Sequence, residues 1–154
     1  MRVFTRLEEL EAAVGDHLGF TDWVTIDQDR IDAFAAATGD DQWIHVDPQR
    51  AATGPFGATI AHGYLTLSLV PVLVASLVDY RGWPVKVNYG SNKARYPMPV
   101  VVNSRVRAAA EVAAVNPGPA GIQVSMRVTV EVEGRDGKPT GKPALVAETI
   151  TLLR

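Results

Sequence analysis

Residues 64–78 read YLTLSLVPVLVASLV, an uncharged run between Gly63 and Asp79. A membrane-spanning helix wants about 20 apolar residues. This run is shorter, carries Thr66, Ser68 and Ser76, and has Pro71 near its middle. The expectation is a core helix from about Thr59 to Tyr80. Leu65, Leu69, Val72, Leu73 and Leu77 lie on one side of it, and Leu67, Val70, Val74 and Val78 on others, so protein must surround it. Pro71 has to kink that helix or remove one of its backbone bonds.

What would surround it lies downstream. Ile122, Val124, Met126, Val128, Val130 and Val132 alternate with Gln123, Ser125, Arg127, Thr129, Glu131 and Glu133, the period of a half-buried strand. Val106, Ala108, Ala110 and Val112 alternate in the same way, as do Val85, Val87 and Tyr89, and Leu145 to Leu153 reads as a last strand. Asn116-Pro-Gly-Pro and Arg135-Asp-Gly137 supply turns. Upstream, residues 27–39 read DQDRIDAFAAATG, a helix with Asp27 as N-cap, Asp29 at the positive end and Gly39 at C′. Ile31, Phe34, Ala35 and Thr38 form its expected buried face. Asp47-Pro48 reads as a cap and first residue of another short helix. The chain thus favours helices up to about Asp79 and strands after about Pro84. Helices followed by strands imply an α+β domain with an antiparallel sheet, here wrapped around the apolar helix. One domain over residues 1–154 is expected from the length.

Composition narrows the chemistry. Hydrophobic residues make up 47% of the chain and charged residues 21%, which excludes disordered and low-complexity classes. Lys and Arg total 15 against 17 Asp and Glu, a net charge of −2, so no basic excess points to nucleic acid. There is no cysteine, which removes disulfides, thiolate nucleophiles and zinc–thiolate sites. The opening MRVFTRLEELEAAVGDHLG has charges where a signal peptide needs an apolar run. The expectation is a cytoplasmic protein without a membrane segment.

Three histidines remain to consider. His17 lies in the charged N-terminal stretch and reads as surface. Asp40 follows the helix ending at Gly39, and His45 comes five residues later. A carboxylate and an imidazole in one loop can grip a water between them, an arrangement for acid–base work; the same spacing also fits a turn-capping Asp and a buried, hydrogen-bonded His. Gly63 opens the apolar helix, and its N–H suits a developing oxyanion, although a glycine there also suits close packing. No Gly-x-Ser-x-Gly elbow, phosphate loop or His-Glu-x-x-His helix occurs.

Phe34-x3-Thr38-Gly-Asp40-x4-His45-x-Asp47-Pro48 followed by Ile60-Ala-His-Gly63 resembles the MaoC-like dehydratases, also called type-2 or R-specific enoyl-CoA hydratases. Trp43-Ile-His-Val-Asp-Pro48 and Asn88-Tyr-Gly-x-Asn-Lys-x-Arg95 look especially like the nodulation-protein-N-like actinobacterial branch, and the similarity runs from about residue 3 to the end. The resemblance implies a hot-dog fold, a homodimer joined sheet edge to sheet edge, and reversible syn hydration of a trans-2-enoyl-CoA to a (3R)-3-hydroxyacyl-CoA. It places the family's catalytic pair on Asp40 and His45 and its oxyanion glycine on Gly63. Substrate contacts fall on Gln42, Ile60, Ala61, His62, Asn88, Tyr89, Asn92, Lys93 and Arg95, the last three facing CoA phosphates or pantetheine. It implies no metal and no redox cofactor, since CoA enters with the substrate, and neither nucleic acid nor membrane as partner. One departure stands out: the commoner motif has Asn-Pro where this chain has Gln42-Trp43. Two other classes compete, a hot-dog thioesterase and a non-catalytic acyl-CoA binder. The thioesterase needs a carboxylate on the central helix, and residues 61–78 contain neither Asp nor Glu.

Overall fold

The computed structural model describes residues 1–134 and 136–154. Its elements run β1 (Arg2–Phe4), α1 (Leu7–Ala12), β2 (His17–Phe20), β3 (Val24–Ile26), α2 (Gln28–Thr38), α3 (Trp43–Val46), α4 (Pro48–Ala52), α5 (Gly63–Ser68), α6 (Val70–Val74), β4 (Val78–Tyr80), β5 (Lys86–Arg95), β6 (Ser104–Gly118), β7 (Gly121–Val132) and β8 (Leu145–Leu153). Six strands form an antiparallel sheet in the order β2-β6-β7-β8-β5, with β3 also on β6. β1 and β4 pair in parallel apart from it.

The alternating residues of β6 and β7 enter one core with Leu145 and Leu153 of β8 and Leu65, Leu73 and Val74 of the helices. Their polar neighbours on the other face form ion pairs between β6 and β7, Arg107–Glu131 at 2.9 Å and Arg127–Glu111 at 2.7 Å, and Arg105 of β6 pairs with Glu133, just past β7, at 3.1 Å. β8 has the bounds its sequence suggests. α2 begins at Asp27, whose carboxylate accepts from the Arg30 N–H, and ends at Gly39 with φ +78°. Asp47 caps α4 in the same manner, with Pro48 as first residue.

The structure corrects several expectations. The helix expected over Thr59–Tyr80 occupies only α5 and α6, interrupted at Leu69. Pro71 has no N–H to donate to the Leu67 carbonyl, and its ring crowds the turn before it. Thr59 to His62 is not helical, and Ile60 bridges Val101. Val78–Tyr80 leaves the helix to pair with β1 as β4. Nor is the helix surrounded: Tyr64 is 70% and Val72 73% exposed, because the sheet covers one side only. Thr38 is exposed, not buried, and bonds back to the Phe34 carbonyl at 2.8 Å, since the last turn of α2 projects beyond the core.

Three turns and strands also differ. β6 continues through Asn116, Pro117 and Gly118, and the chain reverses at Pro119–Ala120. Pro117 is tolerated in the strand because β2 meets β6 only around Ala109 and Glu111, leaving no neighbour that needs its N–H. Of the turn expected at Arg135-Asp-Gly137, Arg135 lies outside the described residues, while Gly137 has φ +75° and donates to the Gly134 carbonyl. The first half is less helical than expected, with β1 to β4 among its elements; each is only three or four residues long, too short for a visible period. Finally, Val85, Val87 and Tyr89 flank or lie in a strand as expected, yet stay 47%, 42% and 58% exposed. β5 is the last strand of the sheet, so little of the fold is available to cover it.

Candidate active site

The site is built where three chain segments converge after α2. Gly39 closes α2 with its N–H on the Ala35 carbonyl, and this left-handed residue turns the chain so that Asp40 starts a new direction. Two residues on, Gln42 opens the single turn α3 and accepts from the His45 N–H at 2.9 Å. The third segment, Thr59 to His62, lies alongside: the Ile60 N–H donates to the Ile44 carbonyl, and the Ala61 N–H to Val100.

That last segment orients His45. Its Nδ1 lies 2.6 Å from the Ile60 carbonyl oxygen, and the ring is 7% exposed. A carbonyl can only accept, so Nδ1 carries the hydrogen, and in the neutral ring Nε2 keeps its lone pair. The main chain of His45 is held as well, since Gln28 Nε2 donates to its carbonyl at 2.8 Å while Gln28 Oε1 accepts from Thr59 Oγ1. His62 obeys the same logic in mirror form. Its Nε2 donates to the Asp40 carbonyl at 2.8 Å, which leaves Nδ1 buried and without a partner among the described residues. The two imidazoles stack, with centroids 3.8 Å apart and planes at 24°. Phe34 packs on His62 at 5.0 Å. Asp40 itself is exposed.

Asp40, His45 and His62 each place a ligating atom within 4.8 Å of the others, so they are the residues that could hold a cation. The near-parallel stack argues against a shared ion. An imidazole coordinates in its own plane, and one ion cannot lie in two planes stacked in this way.

Gly63 follows directly. As the first residue of α5 its N–H has no carbonyl in a preceding turn to bond, and no described hydrogen bond uses it. A Cβ at this position would stand 3.1 Å from the ring of Tyr96, so glycine is what lets Tyr96 close over the helix start. Burial and Tyr64 together raise the Tyr96 phenol above its ordinary range.

The remaining sequence candidates divide. Ile60 and Ala61 are buried in the segment that orients His45, and Gln42 is exposed at the start of α3. Trp43, which stands where the commoner motif has proline, packs against Gly54 and carries the Arg50 guanidinium 4.4 Å from its ring. The other candidates sit on β5. Arg95 is adjacent to Tyr96 and so near the Gly63 corner, with a bond to the Ala94 carbonyl. Lys93 is exposed, and Asn92 donates to Glu148. Asn88 and Tyr89 lie toward the start of β5, whose other end, Arg95, adjoins Tyr96. Asn88 helps line a cavity of about 600 Å³ beneath α5 and α6, with Leu67, Pro71, Val74, Met126 and Thr149. His17 is exposed, as expected, and accepts from the Gly19 N–H. Two residues of the site were missed from sequence. Gln28 and Tyr96 have no motif around them, and only the tertiary contacts reveal their roles.

The family model described as MaoC like domain matches residues 9–134. The chain belongs to the MaoC-like dehydratase family. This is a family of hydro-lyases, and its fold is the hot-dog, an α+β arrangement of antiparallel sheet around a central helix. Among relatives, the chain is 50% identical to 3-hydroxyacyl-thioester dehydratase Z of Mycobacterium tuberculosis, over 97% of both chains. It is 39% identical to Nodulation protein N of Rhizobium leguminosarum, over 96% of this chain and 91% of that one. Among solved structures, the (R)-hydratase from A. caviae involved in PHA biosynthesis superposes with a TM-score of 0.68 at 26% identity, covering 92% of this chain and 96% of the other. No described helix is long and apolar enough to cross a membrane.

Proposed function

We propose that this MaoC-like protein is an (R)-specific enoyl-CoA hydratase, adding water syn across a trans-2-enoyl-CoA to give a (3R)-3-hydroxyacyl-CoA, and reversing that step. The observation that carries the reading is the arrangement of His45. Its Nδ1 is committed to the Ile60 carbonyl, which leaves Nε2 for chemistry, and its ring belongs to a cluster that includes the Asp40 carboxylate.

A water held between the Asp40 carboxylate and His45 Nε2 has both hydrogens directed to acceptors, which turns an oxygen lone pair toward C3 of the substrate. As the C3–O bond forms, one water proton passes to the pair and the C2=C3 electrons move toward the thioester carbonyl. The Gly63 N–H donates to that oxygen as it gains enolate character. Return of a proton from the pair to C2 completes the addition with nothing consumed but water. Positioned acid–base groups contribute about 10²–10⁴-fold in rate, and an oxyanion donor about 3–4 kcal/mol. No step asks for a metal or redox cofactor. The cavity beginning at Leu67, one turn beyond Gly63, has the size and mixed lining of a ligand pocket and suits the acyl chain. Arg95 and Lys93 suit the CoA phosphates, because neither has an acidic partner among the described ion pairs.

The functional unit in this reading is a homodimer of one-domain, cytoplasmic subunits serving fatty acid metabolism. The free edge of β5 and its exposed Val87 and Tyr89 support a second copy joining there.

Crotonyl-CoA tests the proposal. Hydration is followed as loss of enoyl absorbance, and release of free CoA would indicate a thioesterase instead. Asp40→Asn and His45→Gln should each lower turnover by about 10²–10⁴-fold with the fold retained. Near-normal turnover in either variant refutes the pair.

A further inference from the structure

The resemblance groups His62 with the substrate contacts, but its ring is only 2% exposed and its polar edge is turned to protein. We propose that His62 is a positioning residue whose Nε2–H holds the main chain of Asp40 while its ring face sets the plane of His45. The inference rests on the reading of Asp40 and His45 as the acid–base pair.

The two partners of His62 are held unequally without it. His45 has the Ile60 carbonyl at Nδ1, Gln28 on its own carbonyl and Gln42 on its N–H. Asp40 has far less. Its N–H reaches Thr38 Oγ1 at a long 3.4 Å, and its exposed carboxylate has no described hydrogen-bond partner in the protein. The 2.8 Å bond from His62 is the short tie that holds Asp40 in the cluster with His45. Because His62 also precedes Gly63 as the N-cap of α5, one residue links Asp40, His45 and the proposed oxyanion donor.

Stability alone does not explain a histidine here. Among the described residues the buried Nδ1 has no partner, an unmet acceptor that phenylalanine in the same space would not carry. What histidine adds over phenylalanine is the N–H on Asp40. Since displacements of about 1 Å can cost a hundredfold in rate, that bond is where the effect belongs.

Two variants separate the ring from its N–H. His62→Phe keeps an aromatic face against His45 and loses the donor; His62→Gln loses the ring and keeps an amide N–H near the place of Nε2. With crotonyl-CoA, His62→Phe should lower kcat by about ten- to a hundredfold with KM within about twofold, the split expected when positioning and not binding is lost. His62→Gln should recover to within roughly threefold of wild type. Rates are taken per folded protein, at temperatures below each variant's melting transition. An unchanged kcat in His62→Phe, or an equal fall in both variants, overturns the role. A wild-type protein that fails to hydrate crotonyl-CoA overturns the function instead, so the two failures are distinguishable. One measurement needs no variant. Ring-nitrogen NMR of the wild type must find His62 as the Nε2–H tautomer, and an Nδ1–H tautomer breaks the bond to Asp40 and the inference with it.

Discussion

β7 and β5 carry the same alternating signal in sequence and end in opposite environments. β7 lies between β6 and β8, and its apolar residues Val124, Val128 and Val130 are fully buried. β5 closes the sheet, paired on one side by β8 alone, and its Val87 and Tyr89 remain exposed. The cations differ in the same way. Arg107 and Arg127 meet glutamates across the β6–β7 ladder, whereas Lys93 and Arg95 have no acidic partner in the described pairs. Alternation reports that a strand has two unlike faces. Whether the apolar face is covered by the chain itself depends on where the strand sits in the sheet.

The comparison can be broken at either end. Leu145 is fully buried at the start of β8, opposite Val130 of β7. Leu145→Ala should lower the unfolding free energy by about 2–5 kcal/mol in urea titration, the usual range for a cavity in a packed core. A loss below about 1 kcal/mol would mean that the central strands are not the core. A smaller effect is expected at Tyr80, whose hydroxyl lies 3.7 Å from Met126 Sδ of β7 and whose phenol is pushed well above its ordinary value of 10.0 by burial. The unfolded chain gives up this proton near its ordinary value while the folded chain retains it. Stability is therefore fully present below that pH and is lost as pH rises above it. Tyr80→Phe should flatten the alkaline limb of a stability-versus-pH curve, and an unchanged limb would rule out burial as the cause. Least of all should change at the edge. Tyr89→Asp should leave the chain's own stability within about 0.5 kcal/mol while shifting sedimentation toward a monomer. If it destabilises the chain as Leu145→Ala does, β5 is core after all and the contrast fails.

The site shows the same division between local and distant information. Asp40, His45 and Gly63 could be proposed from the sequence because their signals are local, a helix stop at Gly39, an acid–imidazole spacing and a glycine at the head of an apolar run, and because the composite motif they form resembles a family's; the spacing alone left them open. Gln28, Tyr96 and the part played by His62 could not. Gln28 reaches His45 across 17 positions, and His62 reaches Asp40 across 22. Nothing in the residues near either one marks such a contact. The helix boundaries failed for a related reason. The apolar run from Tyr64 to Val78 fits a helix at every position but Pro71, yet its last residue belongs to β4 because β1, more than seventy positions earlier, offers it a parallel partner.

The sequence by itself determined the α+β class, the caps of α2 and α4, the strands β6 to β8 and the residues proposed for acid–base chemistry. The class, caps and strands follow from periodicity and from side chains that bond their own neighbouring backbone, both of which act over a few residues; the acid–base residues follow from the resemblance their motif carries. Only the tertiary structure decided which apolar face stays open on β5, where the central helix breaks, which nitrogen of each histidine carries its hydrogen, and how Asp40 is tied to His62. Each of those depends on which segments the sheet and the helix bring together, and a hydrogen bond or a stack forms only at that distance.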